Sequence, residues 1–409
     1  MEAKMIQLFQ MQNYFFPLMV ILVFGLLHFY IYKALLKSFA TTTLFKAFWL
    51  VFIWLNFIGC AVYFSFLHKD PSSQALFLLL SIAVGVGFCL TIITVIYQIC
   101  SLFIYAIKDK PKRAQMRYNL KRFCGILAII FIVIGLVGGA KEPVIYEVPF
   151  VMSGIKAPIK AVQLSDVHIG GLMDSARVRK IVERVNALQP DMIFLTGDII
   201  DSRLALVENA VDELGKLKAK YGVYYALGNH EYFHDLQNII TKARDLGFIL
   251  LLNQGSLLKT ESGDEIFIAG IADLVGNRES FIPYNLPPKL TETLQSHNCA
   301  QNEPNKTGKC APTILLAHQP KVIEEFLDID KQNPKLTQNV ALILSGHTHG
   351  GQIFPFSLLV LLQQPYLKGL AKITHNTSLY INQGTGYWGP PMRVLSQSEI
   401  TLFHLLPKE

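Results

Sequence analysis

Four long apolar stretches fill the first 140 residues of this 409-residue chain. A helix needs about 20 apolar residues to cross a hydrocarbon layer about 30 Å thick, and four such stretches in succession are not expected of buried helices in a soluble core. The sequence therefore predicts an all-α transmembrane region of about four helices over residues 1–140. The stretches are Tyr14–Leu36, Phe45–Leu67, Ala75–Ile107 and Phe123–Ala140.

The positive charge of the chain is concentrated in one loop. Residues 108–122 hold seven Lys and Arg residues against one Asp, a net of +6 out of the +7 of the whole chain. The basic balance is therefore no argument for nucleic acid. The positive-inside rule places this loop in the cytoplasm and everything from Lys141 onward outside it. This predicts a multi-pass protein of an inner or plasma membrane with an extracytoplasmic polar half. A break of the third stretch at Gly85 and Gly87 would reverse that orientation.

Cysteine usage agrees with an extracytoplasmic polar half. Four of the six cysteines lie in or beside the apolar stretches, where Cys behaves as a small hydrophobe. The other two, Cys299 and Cys310, flank a turn-rich segment. A disulfide between them would suit an oxidising compartment. Two unrelated free thiols are the alternative.

The composition changes after Ala140. Residues 141–157 read as a linker, and residues 158–409 read as one domain. Nine strand-length apolar runs, from Lys160–Leu164 to Ile400–Leu405, alternate with helical patterns. Short buried strands that alternate with helices predict an α/β fold.

Polar residues that can bind metals follow five of these apolar runs. Ligand-binding groups of α/β folds lie at the carboxyl ends of strands, so these five clusters are expected to meet at one rim. Each cluster alone is a weak signal, but the ordered set is improbable by chance. The clusters are Asp166-x-His168, Gly197-Asp198, Gly228-Asn229-His230-Glu231, His318 and Gly346-His347-x-His349.

This ordered set resembles the calcineurin-like metallophosphoesterase superfamily over roughly residues 158–405. The segments 346–352 and 384–393 are similar to the membrane-associated or exported bacterial branch. The resemblance implies a four-layer αββα metallophosphoesterase sandwich, here preceded by the all-α transmembrane bundle. It also implies two metal ions at the strand ends.

The resemblance assigns ligands by position. One metal would take Asp166, His168 and His349, the other would take Asn229, His318 and His347, and Asp198 would bridge them. Carboxylate, imidazole and amide donors suit Mn²⁺, Fe²⁺ or Zn²⁺. Two such ions would hold a bridging hydroxide as the nucleophile. His230 and Asn229 are the catalytic candidates: His230 would stabilise the transition state or protonate the leaving oxygen, and Asn229 would orient a phosphate oxygen.

Two positions distinguish this chain within the superfamily. Glu231 stands where many members have Asp, and little consequence is expected of that difference. Asp201 stands where purple acid phosphatases have a Tyr ligand. A tyrosinate–iron centre is therefore not expected.

The function that follows is a membrane-anchored, metal-dependent phosphoesterase, a hydrolase of phosphate mono- or diesters, with manganese as one candidate metal. The apolar segment Phe354–Leu362 follows the last ligand cluster. It reads either as a buried strand or helix, or as an exposed lip that contacts lipid. The second interpretation, to which Tyr366, Tyr387 and Trp388 could add interfacial aromatics, makes a phospholipid or lipid-linked phosphate the hypothetical substrate and membrane lipids the partners.

Three alternatives remain at this stage. One is a UDP-2,3-diacylglucosamine pyrophosphatase-like hydrolase of lipid A synthesis, whose substrate is cytoplasmic. Another is a non-catalytic membrane scaffold, against which the complete ligand set argues. The third is a transporter or sensor, but the apolar stretches carry few charges to mark an ion path.

Overall fold

The computed structural model describes residues 2–38, 42–66, 73–278, 286–297 and 310–408, without the side chains of residues 2–17, 38 and 66. The chain forms two compact units. One consists of Met1–Ala140 together with Gly389–Val394, and the other consists of Lys141–Trp388 together with Leu395–Glu409.

The first unit contains the long apolar helices. Three of them, α2 to α4, are long and apolar enough to cross a membrane, and the described part of α1 contributes the shorter apolar stretch Leu18–Ala34. The chain is therefore a multi-pass membrane protein. The third helix runs unbroken through Gly85 and Gly87. The helices are α1 (Glu2–Ala34), α2 (Thr43–Phe66), α3 (Gln74–Tyr105) and α4 (Lys110–Ala140).

Polar side chains connect the first three helices inside this unit. His28 Nε2 on α1 lies 2.8 Å from Asn56 Oδ1 on α2. Asn56 Nδ2 donates to the Ala83 carbonyl oxygen on α3 at 2.9 Å. Both side chains are buried. Interhelical hydrogen bonds of this kind stabilise helix packing in lipid.

The second unit contains two six-stranded mixed sheets with helices on their outer faces. The first sheet has the order β1-β12-β2-β3-β4-β5, and the second has the order β10-β11-β9-β8-β7-β6. The strands are β1 (Val144–Met152), β2 (Ile159–Leu164), β3 (Met192–Thr196), β4 (Val223–Ala226), β5 (Ile249–Leu250), β6 (Gln254–Lys259), β7 (Glu265–Gly270), β8 (Thr313–Leu316), β9 (Val340–Ser345), β10 (Gly369–Lys372), β11 (Ser378–Ile381) and β12 (Glu399–Pro407). The helices are α5 (Ser175–Ala187), α6 (Leu204–Leu214), α7 (Asn229–His234), α8 (Leu236–Asp245), α9 (Leu290–Gln295), α10 (Val322–Gln332), α11 (Pro334–Thr337) and α12 (Phe356–Val360).

Successive residues of each strand point to opposite faces of the sheet, so each sheet packs against a layer on both sides. On β3, Ile193 and Leu195 pack into a core shared with α5, α6 and α8. The alternate residue Phe194 packs into a second core, formed by strand residues of both sheets. A third core lies between the second sheet and α9 and α10. The unit is therefore an αββα sandwich in which both sheets are buried on both faces, as the sequence predicted.

One segment differs from its sequence interpretation. Residues 141–157, expected as a linker, contain β1, which pairs in parallel with β12 at the edge of the first sheet. Pro149 lies within this strand, although proline has no N–H to donate to a sheet. An edge strand tolerates it, since one side of the strand has no neighbour. The segment between α4 and β1 is therefore only Lys141–Pro143.

Candidate metal centre

Five loops that follow parallel strands build the candidate site. In the first sheet, β2, β3 and β4 are parallel neighbours, so the loops that start at Ser165, Gly197 and Leu227 leave from the same edge. In the second sheet, β8 and β9 are parallel, and His318 and Gly346 follow their ends. Carboxyl ends of neighbouring parallel strands bring their loops together, which is why residues far apart in sequence meet here.

The first donor group contains Asp166, His168 and His349. The Nε2 atoms of the two imidazoles lie 3.0 Å apart. Asp166 Oδ1 lies 3.3 Å from His349 Nε2. All three residues are buried. One carboxylate oxygen and two ring nitrogens therefore converge on a single point.

The second donor group contains Asp198, His318 and His347. His318 Nε2 lies 3.1 Å from Asp198 Oδ2 and 3.3 Å from His347 Nδ1. The neighbouring Asn229 is buried, and its Oδ1 has no hydrogen-bond partner in the part of the chain that the structure describes. A buried carbonyl oxygen without a hydrogen-bond partner destabilises the fold unless a ligand binds to it. A divalent cation is such a ligand.

Hydrogen bonds fix which ring nitrogen faces each group. His318 Nδ1 donates to the Thr196 carbonyl oxygen at 2.8 Å. His168 Nδ1 donates to Asp201 Oδ2 at 3.2 Å. In both rings this leaves the Nε2 lone pair for a ligand, and a fixed tautomer of this kind is typical of metal-binding histidines.

The loops approach each other closely because glycine stands at the contact points. A Cβ at Gly346 would lie 2.2 Å from Asp166 Oδ2, and one at Gly228 would lie 2.2 Å from Asp198 Oδ1. No other residue fits at either position. Five of the donor residues also have a positive φ, which is rare for residues other than glycine. They are Asp166, His168, Asp198, His347 and His349.

This donor set fits two divalent metal ions. It combines carboxylate oxygens, neutral imidazole nitrogens and one buried amide oxygen without thiolates, which are ligands that suit several first-row metals. Asp198 belongs both to the second group and to a group with His168 and His230, so it lies between the two sets. His/Asp clusters in this arrangement are typical of dimetal sites.

Comparisons with known proteins find similar sequences over most of the chain. The family model described as calcineurin-like phosphoesterase matches residues 159–351. An uncharacterized metallophosphoesterase of Campylobacter jejuni is 32% identical over 96% of this chain and 99% of its own length. This chain belongs to the calcineurin-like metallophosphoesterase family. A Danio rerio transmembrane protein with metallophosphoesterase domain is 33% identical over 68% of this chain and 60% of its own length. Among solved structures, a 5′-nucleotidase precursor of Thermus thermophilus matches with a TM-score of 0.37 and 16% identity over 61% of this chain and 55% of that one.

As a metallophosphoesterase, the chain is a hydrolase of phosphate esters, and His230 lies beside its donor groups. His230 Nδ1 lies 2.5 Å from Asp201 Oδ1, and His230 Nε2 lies 3.9 Å from Asp198 Oδ2. Burial alone would lower the pKa of His230. The Asp201 and Asp198 carboxylates reverse this and raise it to about 10 in the metal-free chain.

Two other residues of this metallophosphoesterase site, Asp198 and His347, have pKa values well below their ordinary ones. Burial would raise the pKa of Asp198, but His318 and His230 hold it well below its usual range. Burial and the neighbouring His318 lower the pKa of His347 to about 3. The His347 ring is therefore neutral and able to bind a cation through Nδ1.

The sequence missed the importance of Asp201 and Glu231. Asp201 accepts hydrogen bonds from His168, His230 and His234. The buried Glu231 accepts hydrogen bonds from the main-chain amides of residues 198, 199, 200 and 228 and from the Tyr225 hydroxyl. Its place three residues after Gly228, at a helix start, was the available signal.

The apolar segment after the site is exposed rather than buried. Helix α12 has no buried residue. Leu359 is 54% exposed and Leu362 is 81% exposed. Of the three aromatics suggested beside it, Trp388 is exposed, whereas Tyr387 is buried with its hydroxyl against Arg177. Tyr366 is half-buried against the third core.

The structure describes only one of the two cysteines of the predicted disulfide. Cys310 is disulfide-bonded, and Cys299 lies outside the described residues. The pairing of these two cysteines stays a prediction.

Proposed function

We propose that this chain is a membrane-anchored phosphoesterase that hydrolyses a phosphate mono- or diester at a site for two divalent metal ions. The observation that carries the proposal is the pair of buried donor groups with Asp198 between them. One ion would be held by Asp166, His168 and His349, the other by Asn229, His318 and His347, with Asp198 bridging.

The chain's own residues support the chemistry of ester cleavage. When bound, ions such as Mn²⁺, Fe²⁺ or Zn²⁺ supply a nucleophilic water at neutral pH and offset the charge of the phosphate. Asp201 fixes His230 through Nδ1, so Nε2 is the atom that would donate a proton to the leaving oxygen. Asn229 Nδ2 would donate to a phosphate oxygen while its Oδ1 binds the metal.

Hydrolysis by the full-length protein in detergent tests this proposal. After chelation, Mn²⁺, Fe²⁺ or Zn²⁺ is added with bis(p-nitrophenyl) phosphate or p-nitrophenyl phosphate as substrate. We expect metal-restored activity that Asp198→Asn abolishes. The exposed Asp328→Asn is the matched control and should hydrolyse like the parent. A folded parent that binds metal but cleaves neither ester would contradict the proposal and favour a scaffold.

We further propose a phospholipid or lipid-linked phosphate as the substrate class. A soluble protein rarely exposes a contiguous apolar helix, and such patches mark contact with protein or lipid. Helix α12 begins five residues after Gly351, the last glycine of the ligand loop. The same chain carries three helices long and apolar enough to span a membrane, and only three residues join α4 to β1.

A charge on α12 distinguishes lipid from soluble substrates. We expect Leu359→Asp to reduce hydrolysis of phospholipid in mixed micelles by about tenfold while leaving a soluble ester unaffected. Leu206→Asp, at an equally exposed leucine of α6, is the control for added charge. Equal loss on both substrates would show that α12 is needed for folding and would refute its contact with lipid.

The topology is proposed to place the α/β unit outside the cytoplasm. The basic residues of 108–122, expected in a loop, lie at the start of α4, with only Lys108 between α3 and α4. A basic end of a membrane helix supports this orientation under the positive-inside rule. In intact cells a membrane-impermeant maleimide should modify Lys218→Cys, on the α/β unit, and spare Lys110→Cys. The opposite labelling would place the site in the cytoplasm.

A further inference from the structure

A six-residue segment from the carboxyl-terminal part of the chain packs with the membrane helices. Gly389–Val394 belongs to the compact unit of α1 to α4, although the residues before and after it belong to the α/β unit. Met392 and Arg393 in this segment are fully buried. The segment is thus packed within the membrane unit and is not a surface loop.

Glycines of α3 and α4 form the groove that holds the segment. A Cβ at Gly85 would lie 2.3 Å from Met392 Sδ, and one at Gly135 would lie 2.6 Å from Met392 Cε. A Cβ at Gly138 or Gly139 would lie 2.3 or 2.1 Å from a main-chain carbonyl oxygen of the segment. The Arg393 amide donates to the Gly135 carbonyl oxygen at 2.9 Å.

These glycines are costly to a helix, because glycine loses more conformational freedom than alanine on folding. Three of them, Gly135, Gly138 and Gly139, fall within five residues of α4. Close approach of the segment's backbone accounts for Gly138 and Gly139, and the Met392 side chain lies against Gly135.

The residues on either side of the segment form hydrogen bonds with Gln352 within the α/β unit. Gln352 Nε2 donates to the Trp388 carbonyl oxygen at 2.9 Å, and the Trp388 amide donates to Gln352 Oε1 at 3.0 Å. On the other side, Ser396 Oγ donates to the Gln352 carbonyl oxygen at 3.0 Å. Gln352 thus holds the residue before the segment and a residue two positions after it.

Gln352 and Trp388 also lie beside the candidate metal centre. The main-chain N–H of Gln352 donates to the main-chain carbonyl oxygen of His349 at 3.0 Å. His349 is a member of the first group of metal-binding residues. The Trp388 ring packs edge-on to His230, with 6.2 Å between the ring centroids. A movement of Gly389–Val394 would therefore reach His349 through the hydrogen bonds of Gln352 and His230 through the Trp388 ring.

We propose that Gly389–Val394 is a docking segment for α3 and α4, and that Gln352 and Trp388 are positioning residues through which this docking sets the geometry of His349 and His230. The inference rests on the proposed function for its effect on activity. The packing of the segment, however, can be tested without activity.

The test uses the full-length chain with Trp49→Phe and Trp54→Phe, which leaves Trp388 as the only tryptophan. Gly138→Ala with Gly139→Ala places methyl groups against the segment's backbone. Gly25→Ala is the matched control, because its Cβ would lie 3.7 Å from the Phe57 ring, an ordinary contact. Trp388 emission, acrylamide quenching, bound metal, kcat and KM are measured for each.

We expect the double variant to shift Trp388 emission and to lower kcat by about tenfold with KM and bound metal retained, because small displacements of catalytic groups affect the rate of the chemical step. Met392→Ala, which adds no bulk and therefore does not crowd the helices, should act in the same direction. It decides the question if the double variant does not fold. Gly25→Ala should match the parent.

Two results would overturn the inference. One is unchanged Trp388 emission and kcat in Met392→Ala and in the folded double variant. The other is a fall in kcat without any change at Trp388, which would mean that the segment acts by another route. A parent without metal-dependent activity would refute the proposed function alone, since the Trp388 emission would still report whether the segment docks.

Discussion

His230 Nδ1 and Asp201 Oδ1 lie 2.5 Å apart, so the Asp201 carboxylate sets the orientation of the imidazole that faces the candidate site. Asp201 also accepts hydrogen bonds from His168 and His234. One carboxylate therefore orients a candidate proton donor and a candidate metal ligand at the same time.

Replacing His230 should affect the rate more than the metal content. We expect His230→Ala to lower kcat by about 10²- to 10⁴-fold, the usual range for general acid–base catalysis, because the ring is placed to donate a proton. Elemental analysis of the purified variant should still find the metal content of the parent. His375→Ala, at an exposed histidine, is the control. Loss of metal in step with activity would make His230 a ligand instead.

Metal removal should destabilise the protein. Buried imidazole nitrogens as close as 3.0 Å, and an Asn229 Oδ1 with no hydrogen-bond partner among the described residues, are arranged for a cation. An ion at 100 times its dissociation constant would add about 2.7 kcal/mol to the free energy of unfolding. Thermal melts of the full-length chain in detergent should therefore show a lower Tm after chelation and recovery with Mn²⁺. Asp166→Asn should recover less. An unchanged Tm on chelation would argue against a resident ion.

Replacing Glu231 should destabilise the loop that carries Asp198. In Glu231→Gln an amide group would face main-chain N–H groups that now donate to a carboxylate. We expect a loss of about 3 kcal/mol in the free energy of unfolding by urea, since buried donors would lose a charged acceptor. The exposed Glu292→Gln should change it by less than about 0.5 kcal/mol. Equal stability of the two variants would show that the loop does not depend on Glu231.

The polar contact inside the membrane unit predicts a smaller effect. Asn56→Ala removes the hydrogen bond to the Ala83 carbonyl oxygen and the partner of His28. Single interhelical hydrogen bonds in membranes contribute about 0.6 kcal/mol on average, so we expect a loss of about 1 kcal/mol. Unfolding in sodium dodecyl sulfate measures it, with Leu55→Ala on the exposed face of α2 as reference. A larger loss for Leu55→Ala would be evidence against this role of Asn56.

The alternation of short buried strands with helices predicted the α/β class, and the resemblance to a known family predicted the four layers. The donor clusters were predicted because they follow strand ends. Prediction failed where local pattern and tertiary setting disagree. The strand β1 was expected to be part of a linker, because its partner β12 lies at the other end of the domain in sequence. Glu231 looked peripheral because three of its hydrogen-bond partners, the main-chain amides of residues 198, 199 and 200, lie more than thirty residues away in the chain. The packing of Met392 against Gly85 joins residues about three hundred positions apart, which no local pattern reveals.

The Gly389–Val394 segment also bears on how such a protein can be rearranged by evolution or by engineering. Two modules joined at one point can be recombined by a single crossover, as when an enzyme domain acquires a new anchor. Here the helical unit is completed by six residues encoded far downstream. A new anchor would have to be compatible with two distant stretches of sequence at once, so the helices and the hydrolase are expected to be inherited together.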